Sequence, residues 1–147
     1  MDSEQKAILD KLEAQCSKRE YCVSEIRQKL FKALAGDTSR ADEVLGSLLA
    51  DRFVDDARYA AAFAREKAAL TGWGPVKIRY SLRAKGIAPS TIDEAMMEID
   101  AGKAKDKLDK LLENKRKSLE GDPQIKLKLI KFLLSRGYEY SDIQDLI

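Results

Sequence analysis

The chain has 147 residues, no histidine and a formal net charge of +2, and its residues are 44% hydrophobic and 35% charged. One or two small domains fit this length, and the apolar content favours a folded core over disorder. The lack of histidine excludes catalytic triads, cysteine–histidine pairs and histidine metal sites. Because the net charge is small, an anionic partner would have to bind a local basic patch.

The amino-terminal residues predict neither a targeting segment nor a membrane anchor. They contain no apolar signal region, and the longest apolar run, Tyr59–Ala64, is far too short to cross a bilayer. We therefore expect a cytoplasmic protein that does not contact a membrane. Cys16 and Cys22 form no CxxC pair, so we expect small side chains in a reducing compartment, with a disulfide or a metal site as the alternative.

Helical periodicity dominates the chain from its first residues. Ile8, Leu9 and Leu12 fit one face of a helix, and the same spacing returns further along at Leu108 and Leu112. No alternating β-branched run and no Asn-Gly or Asp-Gly turn is present, which argues against strands. The pattern predicts an all-α protein.

The apolar pattern repeats after 51 residues. In this register Ile78 falls on Leu129, Leu82 on Leu133, Gly86 on Gly137 and Ile92 on Ile143. A fainter copy lies upstream, where Ile26, Leu30 and Val44 occupy the positions of Ile78, Leu82 and Ile92. The alternative is chance agreement between helical hairpins.

We therefore predict three tandem three-helix repeats, at residues 1–54, 55–101 and 102–147. A unit of this size barely closes a core alone, so neighbours should stack into an elongated, curved molecule. Gly86 and Gly137 should be the left-handed residues that end a helix. The segments 91–94 and 141–144 fit the capping box that starts the next helix.

Charge is concentrated in the middle of the chain. Residues 52–87 carry eight basic and three acidic side chains, whereas residues 1–51 and 88–122 are each net −2. Arg79 and Arg83 are i, i+4 neighbours beside Tyr80, and such a face suits phosphate or an acidic protein. The alternative is a solvated face whose arginines pair with nearby carboxylates such as Asp55, Asp56 or Glu66.

Other functions are less well supported by the sequence. A DNA-reading helix-turn-helix would need a basic or neutral second helix, but residues 90–100 and 139–147 carry acids and no bases. No phosphate-binding loop, dinucleotide fingerprint or nucleophile elbow is present, so we expect no catalytic residue, no metal and no cofactor. An enzyme hidden in a cleft between repeats is a minor alternative. Trp73 is either an exposed binding anchor or a staple over the start of a helix.

Three segments carry a resemblance to a known family. The residues 55–65, 73–78 and 82–87 resemble the central signature of RecX regulatory proteins, and residues 129–143 are similar to that family's last repeat. The resemblance implies three tandem three-helix repeats and a bacterial modulator, usually an inhibitor, of the recombinase RecA. Such proteins bind in the groove of the RecA–DNA filament, reduce its ATPase activity and strand exchange in recombination, DNA repair and the SOS response, bind DNA weakly and are not enzymes.

The resemblance and the basic middle of the chain together give the candidate binding residues. We expect contacts with RecA or DNA from Arg58, Arg65, Lys77, Arg79, Tyr80, Arg83, Lys85, Lys128, Lys131 and Arg136. The expected partners are a RecA filament and, weakly, single- or double-stranded DNA, with the free protein a monomer. The alternative is a nonspecific nucleic-acid-binding helical repeat protein without a role on a recombinase.

Overall fold

A computed structural model describes all residues, 1–147. It contains nine α-helices and no strand, which confirms the all-α prediction. The helices are α1 (Ser3–Lys18), α2 (Val23–Ala33), α3 (Thr38–Ala50), α4 (Asp56–Ala69), α5 (Pro75–Ala84), α6 (Pro89–Met96), α7 (Ala101–Ser118), α8 (Ile125–Ser135) and α9 (Tyr140–Leu146).

The buried side chains form three separate clusters along the chain. One cluster lies among α1–α3, a second among α4–α6, and a smaller third among α7–α9. The clusters contain nine, ten and five buried residues, and the central one also includes Cys22 from the start of α2. The positions related by the sequence repeat are all buried: Ile26, Ile78 and Leu129; Leu30, Leu82 and Leu133; Val44, Ile92 and Ile143.

The molecule is elongated. Its accessible surface is 9002 Å², whereas a compact monomer of 16.5 kDa exposes about 7,500 Å². The excess follows from three small cores in a row. This arrangement and the nine helices confirm the predicted architecture of three-helix repeats, while the boundaries 1–54, 55–101 and 102–147 stay a prediction.

The glycine caps are confirmed. Gly86 and Gly137 have φ values of 77° and 94°. After each glycine, the next amide bonds back to a helical carbonyl: Ile87 donates to Leu82 at 3.2 Å, and Tyr138 donates to Leu133 at 3.1 Å. These are Schellman motifs, which satisfy the last carbonyls of α5 and α8.

The predicted capping boxes at 91–94 and 141–144 are wrong. The third helix begins earlier in both repeats, at Pro89 and at Tyr140, and neither start has a side-chain cap. The reason is the short connection: only Ile87 and Ala88 separate Gly86 from Pro89, whose ring presets a helical φ at the first position. Thr91 therefore lies inside the first turn of α6.

Both cysteines are free and buried, so a disulfide between them is excluded in this structure. Burial raises the pKa of the thiols of Cys16 and Cys22. They pack as small apolar side chains in two different cores.

No helix has the length and apolar composition needed to cross a bilayer.

Candidate partner-binding site

The outer face of α5 carries the most exposed part of the predicted site. Ile78 and Leu82 are fully buried, which turns Val76, Tyr80 and Arg83 outward at i, i+4 and i+7 spacing. Val76 is 45% exposed and Tyr80 is 70% exposed. An exposed aromatic, an exposed aliphatic and an arginine on one helix face are the side chains that protein interfaces favour.

Five of the predicted cations lie beside a carboxylate. Arg79 contacts Asp93 at 2.6 Å, Arg65 lies 3.8 Å from Glu98, and Lys85 lies 3.3 Å from Glu25. The other two pairs are Arg58 with Glu20 and Lys128 with Asp122. None of these partners is Asp55, Asp56 or Glu66, which the sequence had suggested, although Arg52 of the same basic segment lies 3.9 Å from Asp55. Surface pairs of this kind contribute little stability, so a partner's acidic groups could exchange with them.

Arg83 and Lys131 are exposed and have no carboxylate within 4.0 Å. Arg83 lies on α5 and Lys131 on α8, so each presents a free charge on the second helix of its repeat. Lys131 occupies the position of Tyr80 in the 51-residue repeat, and Leu134, which is 46% exposed, occupies that of Arg83. The outer faces of α5 and α8 thus combine exposed apolar groups with unpaired positive charge.

Lys77 and Arg136 lie where the central and third cores join. The Gly74 amide donates to the Arg136 carbonyl at 2.7 Å, and the Val76 amide donates to the Gly137 carbonyl at 2.9 Å. Lys77 Nζ donates to the Ser135 carbonyl at 3.3 Å, while Arg136 Nε is buried without a hydrogen-bond partner. Both cations therefore contribute to the contact between the two repeats as well as to the surface charge.

The first and central cores meet through an equivalent joint. Ser24 Oγ donates to the Lys85 carbonyl at 2.6 Å, and Lys85 is the repeat equivalent of Arg136. The Val23 amide also donates to Asp56 at 2.8 Å. In both joints the start of a second helix binds the last turn of the second helix in the next repeat. The joints fix how α2, α5 and α8 follow one another along the molecule.

An open cavity of about 640 Å³ lies beside the first joint. Tyr59 and Phe63 line it together with Lys67, Glu25 and further charged side chains of both signs. Burial raises the pKa of Tyr59 to about 12, so its hydroxyl stays protonated.

No group of three or more His, Cys, Asp or Glu side chains in the molecule could hold a metal ion.

Trp73 packs against the central core and is only partly buried. Its ring meets Phe63 edge-on, with 6.1 Å between ring centroids. It directly precedes the helix N-cap Gly74, and the core it packs on contains Ile78 of the same helix. This placement fits a staple over the helix start rather than a fully exposed anchor.

Comparison with known proteins decides the family. The family model of the second three-helix domain of RecX matches residues 55–96, and that of the third three-helix domain matches residues 105–147. The two matches cover more than half of the chain. The chain belongs to the RecX family.

RecX relatives from distant bacteria support this assignment. A regulatory protein RecX from Clostridium botulinum is 31% identical over all of this chain and 74% of its own length, and one from Haemophilus ducreyi is 32% identical over 88% of this chain and 85% of its own length. One from Clostridium tetani is 36% identical over 76% of this chain. The matched part spans only 52% of that relative's length.

Solved RecX structures share the fold. A crystal structure of regulatory protein RecX superposes with a TM-score of 0.77 at 24% identity, covering 97% of this chain and 72% of the other. RecX from Lactobacillus salivarius superposes with a TM-score of 0.75 at 20% identity over the whole of both chains. At these identities the comparison shows the fold alone. The family is one of regulatory proteins.

Within this RecX-family fold, sequence reasoning missed two basic clusters. Around Tyr21, the Arg19 guanidinium lies 4.0 Å and Lys29 Nζ 5.2 Å from the ring centroid. The other cluster is on α7, which has seven basic and three acidic residues. Both were hidden because charge was summed over segments that also contain acidic flanks. A count for each predicted helix would have found the cluster on α7.

Proposed function

We propose that this chain binds RecA–DNA filaments in the filament groove and modulates, in the inhibitory direction, RecA ATPase and strand exchange. Membership of the RecX family carries this proposal. The elongated row of three cores supports it, because a repeat protein presents an extended surface suited to an extended partner. The action proposed is binding, with no chemical step performed by this chain.

The outer face of α5 is the proposed centre of contact with the recombinase protein. Val76 and Tyr80 are exposed apolar anchors, and Arg83 is a cation without an acidic partner. Burial of such residues dominates protein interfaces, whereas contact with phosphate alone needs no apolar anchor. The remaining predicted residues, from Arg58 to Arg136, would form the rim of the contact or hold the joints in place.

The proposal is tested by measuring DNA-stimulated ATP hydrolysis by the cognate RecA at rising, substoichiometric amounts of this protein. We expect hydrolysis to fall. The double variant Tyr80→Ala with Arg83→Ala should need at least tenfold more protein for the same effect, because removing two central interface residues costs about 1–2 kcal/mol each. Circular dichroism should show unchanged helix content.

The matched control is Met97→Ala with Lys105→Ala, which also removes one exposed apolar group and one charge, away from α5. The control should act like the unmodified protein. If both double variants act equally, the α5 face is the wrong surface. If the unmodified protein leaves ATP hydrolysis unchanged but binds DNA in a salt-sensitive way, the nonspecific nucleic-acid-binding alternative replaces the proposal.

A further inference from the structure

The first–central joint, where the first core meets the central core, contains no backbone–backbone hydrogen bond. Each hydrogen bond across it uses a side chain, from Ser24, Asp56, Arg58 or Lys85. The central–third joint instead has the two backbone–backbone bonds described above. Exposed side chains change rotamer rapidly, whereas backbone bonds hold two helix ends in place. The first–central joint is therefore the less constrained of the two.

The packing of helices shows the same difference. In the central–third joint α4 packs against α7, Ala104 packs on the central core, and a Cβ on Gly74 would lie 2.4 Å from the Gly137 carbonyl oxygen. No helix of α1–α3 packs to a comparable extent on a helix of α4–α6. Cys22 is the only residue before Asp55 that belongs to the central core. The first repeat is thus attached to the rest of the molecule by a small contact.

The ion pairs of the first–central joint are accessible to solvent. The side chains of Arg58 and Lys85 are each 43% exposed, and their partners are Glu20 and Glu25. Ion pairs with this exposure contribute little stability and weaken as the salt concentration rises. Units of one chain move relative to each other unless a large hydrophobic interface holds them together. This joint has no such interface.

The chain passes from the first repeat to the central repeat at a single residue. Phe53 and Val54 pack on the first core, and Asp56 is already the first residue of α4. Asp55 lies between them in an extended conformation, with φ −152° and ψ 109°. Hinges are formed by a few residues in loops or at the ends of elements. A rotation at the Val54–Asp55 connection would therefore move the first repeat without deforming a helix.

The cavity of about 640 Å³ beside this joint provides space for such a rotation. It is lined by residues of both repeats, including Lys18 from the end of α1 and Glu66 from α4. Neither of these side chains has an ion-pair partner within 4.0 Å. A rotation that closes the cavity would bring the end of α1 towards α4 and shorten the distance between these opposite charges.

We propose that the first–central joint is a hinge, about which the first repeat (α1–α3) rotates as a unit while α4–α9 move together as one body. The rotation changes the curvature of the elongated molecule, because it changes the angle between α2 and the row formed by α5 and α8. The proposal goes beyond the proposed function, since it concerns motion within the free chain. It holds whether or not the α5 face binds a recombinase.

The test measures distances between two spin labels in the full chain by double electron–electron resonance. The labels are attached to cysteines that replace exposed helical residues without ion-pair partners: Lys11→Cys with Glu94→Cys forms the hinge pair, and Glu94→Cys with Lys126→Cys forms the body pair. Cys16 and Cys22 are buried, so the chain without introduced cysteines should take up little label. We expect the distance distribution of the hinge pair to be about twice as broad as that of the body pair, because only the hinge pair spans the mobile joint.

The joint variant is Arg58→Gln with Lys85→Gln, which removes both ion pairs across the hinge. It should broaden the distribution of the hinge pair further and leave that of the body pair unchanged. The matched control is Arg65→Gln with Arg79→Gln, which removes the same charge and two ion pairs inside the central repeat. The control should change neither distribution, and circular dichroism should show the same helix content for both variants.

A salt series on the labelled chain is a second measurement that needs neither the joint variant nor its control. Rising salt should broaden the distribution of the hinge pair alone, because screening weakens the ion pairs across the hinge. Equal widths for the two label pairs at both low and high salt would overturn the proposal, since the two joints would then be equally rigid or equally flexible. Equal broadening of the hinge pair by the joint variant and the control would overturn the role of the two ion pairs across the hinge.

Discussion

The residue that ends the second helix of each repeat adopts a left-handed conformation. Ala35, Gly86 and Gly137 have φ values of 51°, 77° and 94°. In the first repeat the Gly36 amide donates to the Phe31 carbonyl at 2.8 Å, which is the bond that completes a Schellman motif. The same cap is thus made twice with glycine and once with alanine, which tolerates this region poorly.

Replacing Ala35 with glycine should stabilise the protein. The left-handed conformation costs an alanine about 1–2 kcal/mol, and the greater freedom of glycine in the unfolded chain offsets about 0.4–1 kcal/mol of that gain. We expect a net gain of about 0.5–1 kcal/mol in the free energy of unfolding, measured by urea denaturation. As a control, Ala33→Gly, at the last residue of α2, should destabilise, because glycine is less favourable than alanine in a helix. Destabilisation by Ala35→Gly would contradict the cap assignment.

At the scale of helices, the two joints connect the same helix ends through different chemical groups. In the central–third joint, backbone meets backbone at Gly74 and Gly137, and a Cβ on Gly137 would lie 2.3 Å from Lys77 Cβ. In the first–central joint, Ser24 makes the bond through its hydroxyl, and a Cβ on Gly86 would meet nothing closer than 4.0 Å. The central–third joint therefore requires glycine, whereas the first–central joint depends more on charged side chains.

Glu25 is the centre of those side chains. Burial would raise the pKa of its carboxyl, but hydrogen bonds from the Cys22 amide and from Lys85 outweigh burial and hold the pKa below its ordinary value of 4.5. Arg19 also lies 3.3 Å from the carboxylate. Because the pKa is lower in the folded state, this stabilisation is present above about pH 4.5 and is lost as the pH falls through the folded-state value.

Glu25→Gln should therefore lower stability at neutral pH and matter less in acid. We expect a loss of about 1 kcal/mol at pH 7, the size of a charge-assisted hydrogen bond after partial solvent screening. The difference from the unmodified protein should shrink towards pH 3. Thermal unfolding between pH 7 and pH 3 measures this difference in stability. The control is Glu113→Gln, which removes one partner of an exposed ion pair on α7. A difference that is independent of pH would contradict the role assigned to the Glu25 charge.

The sequence predicted features that depend on residues close together in the chain better than features that depend on distant residues. Apolar spacing predicted the buried positions Ile78 and Leu129, and the positions of the glycines predicted the helix caps at Gly86 and Gly137, because both depend on near neighbours. The ion pair of Arg58 with Glu20 joins residues 38 positions apart, and no spacing rule indicates it. The same holds for the contact of Gly74 with Arg136. The charged site was therefore less predictable than the fold, and its assignment to a partner stays a prediction.

At the scale of the whole molecule, stability is distributed over three unequal cores. The third core contains five buried residues, against ten in the central core, and it is held to the rest through α4–α7 packing and the Gly74–Arg136 joint. The central core contacts both neighbours. In a repeat protein each unit depends on its own core and on its interfaces, so damage at an end should stay local and damage in the middle should spread.

Leu82 and Leu133 allow a matched test, because they are repeat equivalents and both are fully buried. Replacing either leucine with alanine should cost about 2–5 kcal/mol. Leu133→Ala should increase hydrogen exchange in α8 and α9 but leave α1–α3 protected, because the damage lies in the terminal core. Leu82→Ala should increase exchange in α4–α6 and also in α7–α9, since the third core loses its support. Mass spectrometry after deuterium labelling resolves these segments, and equal, global exchange in both variants would show instead that the three cores unfold as one unit.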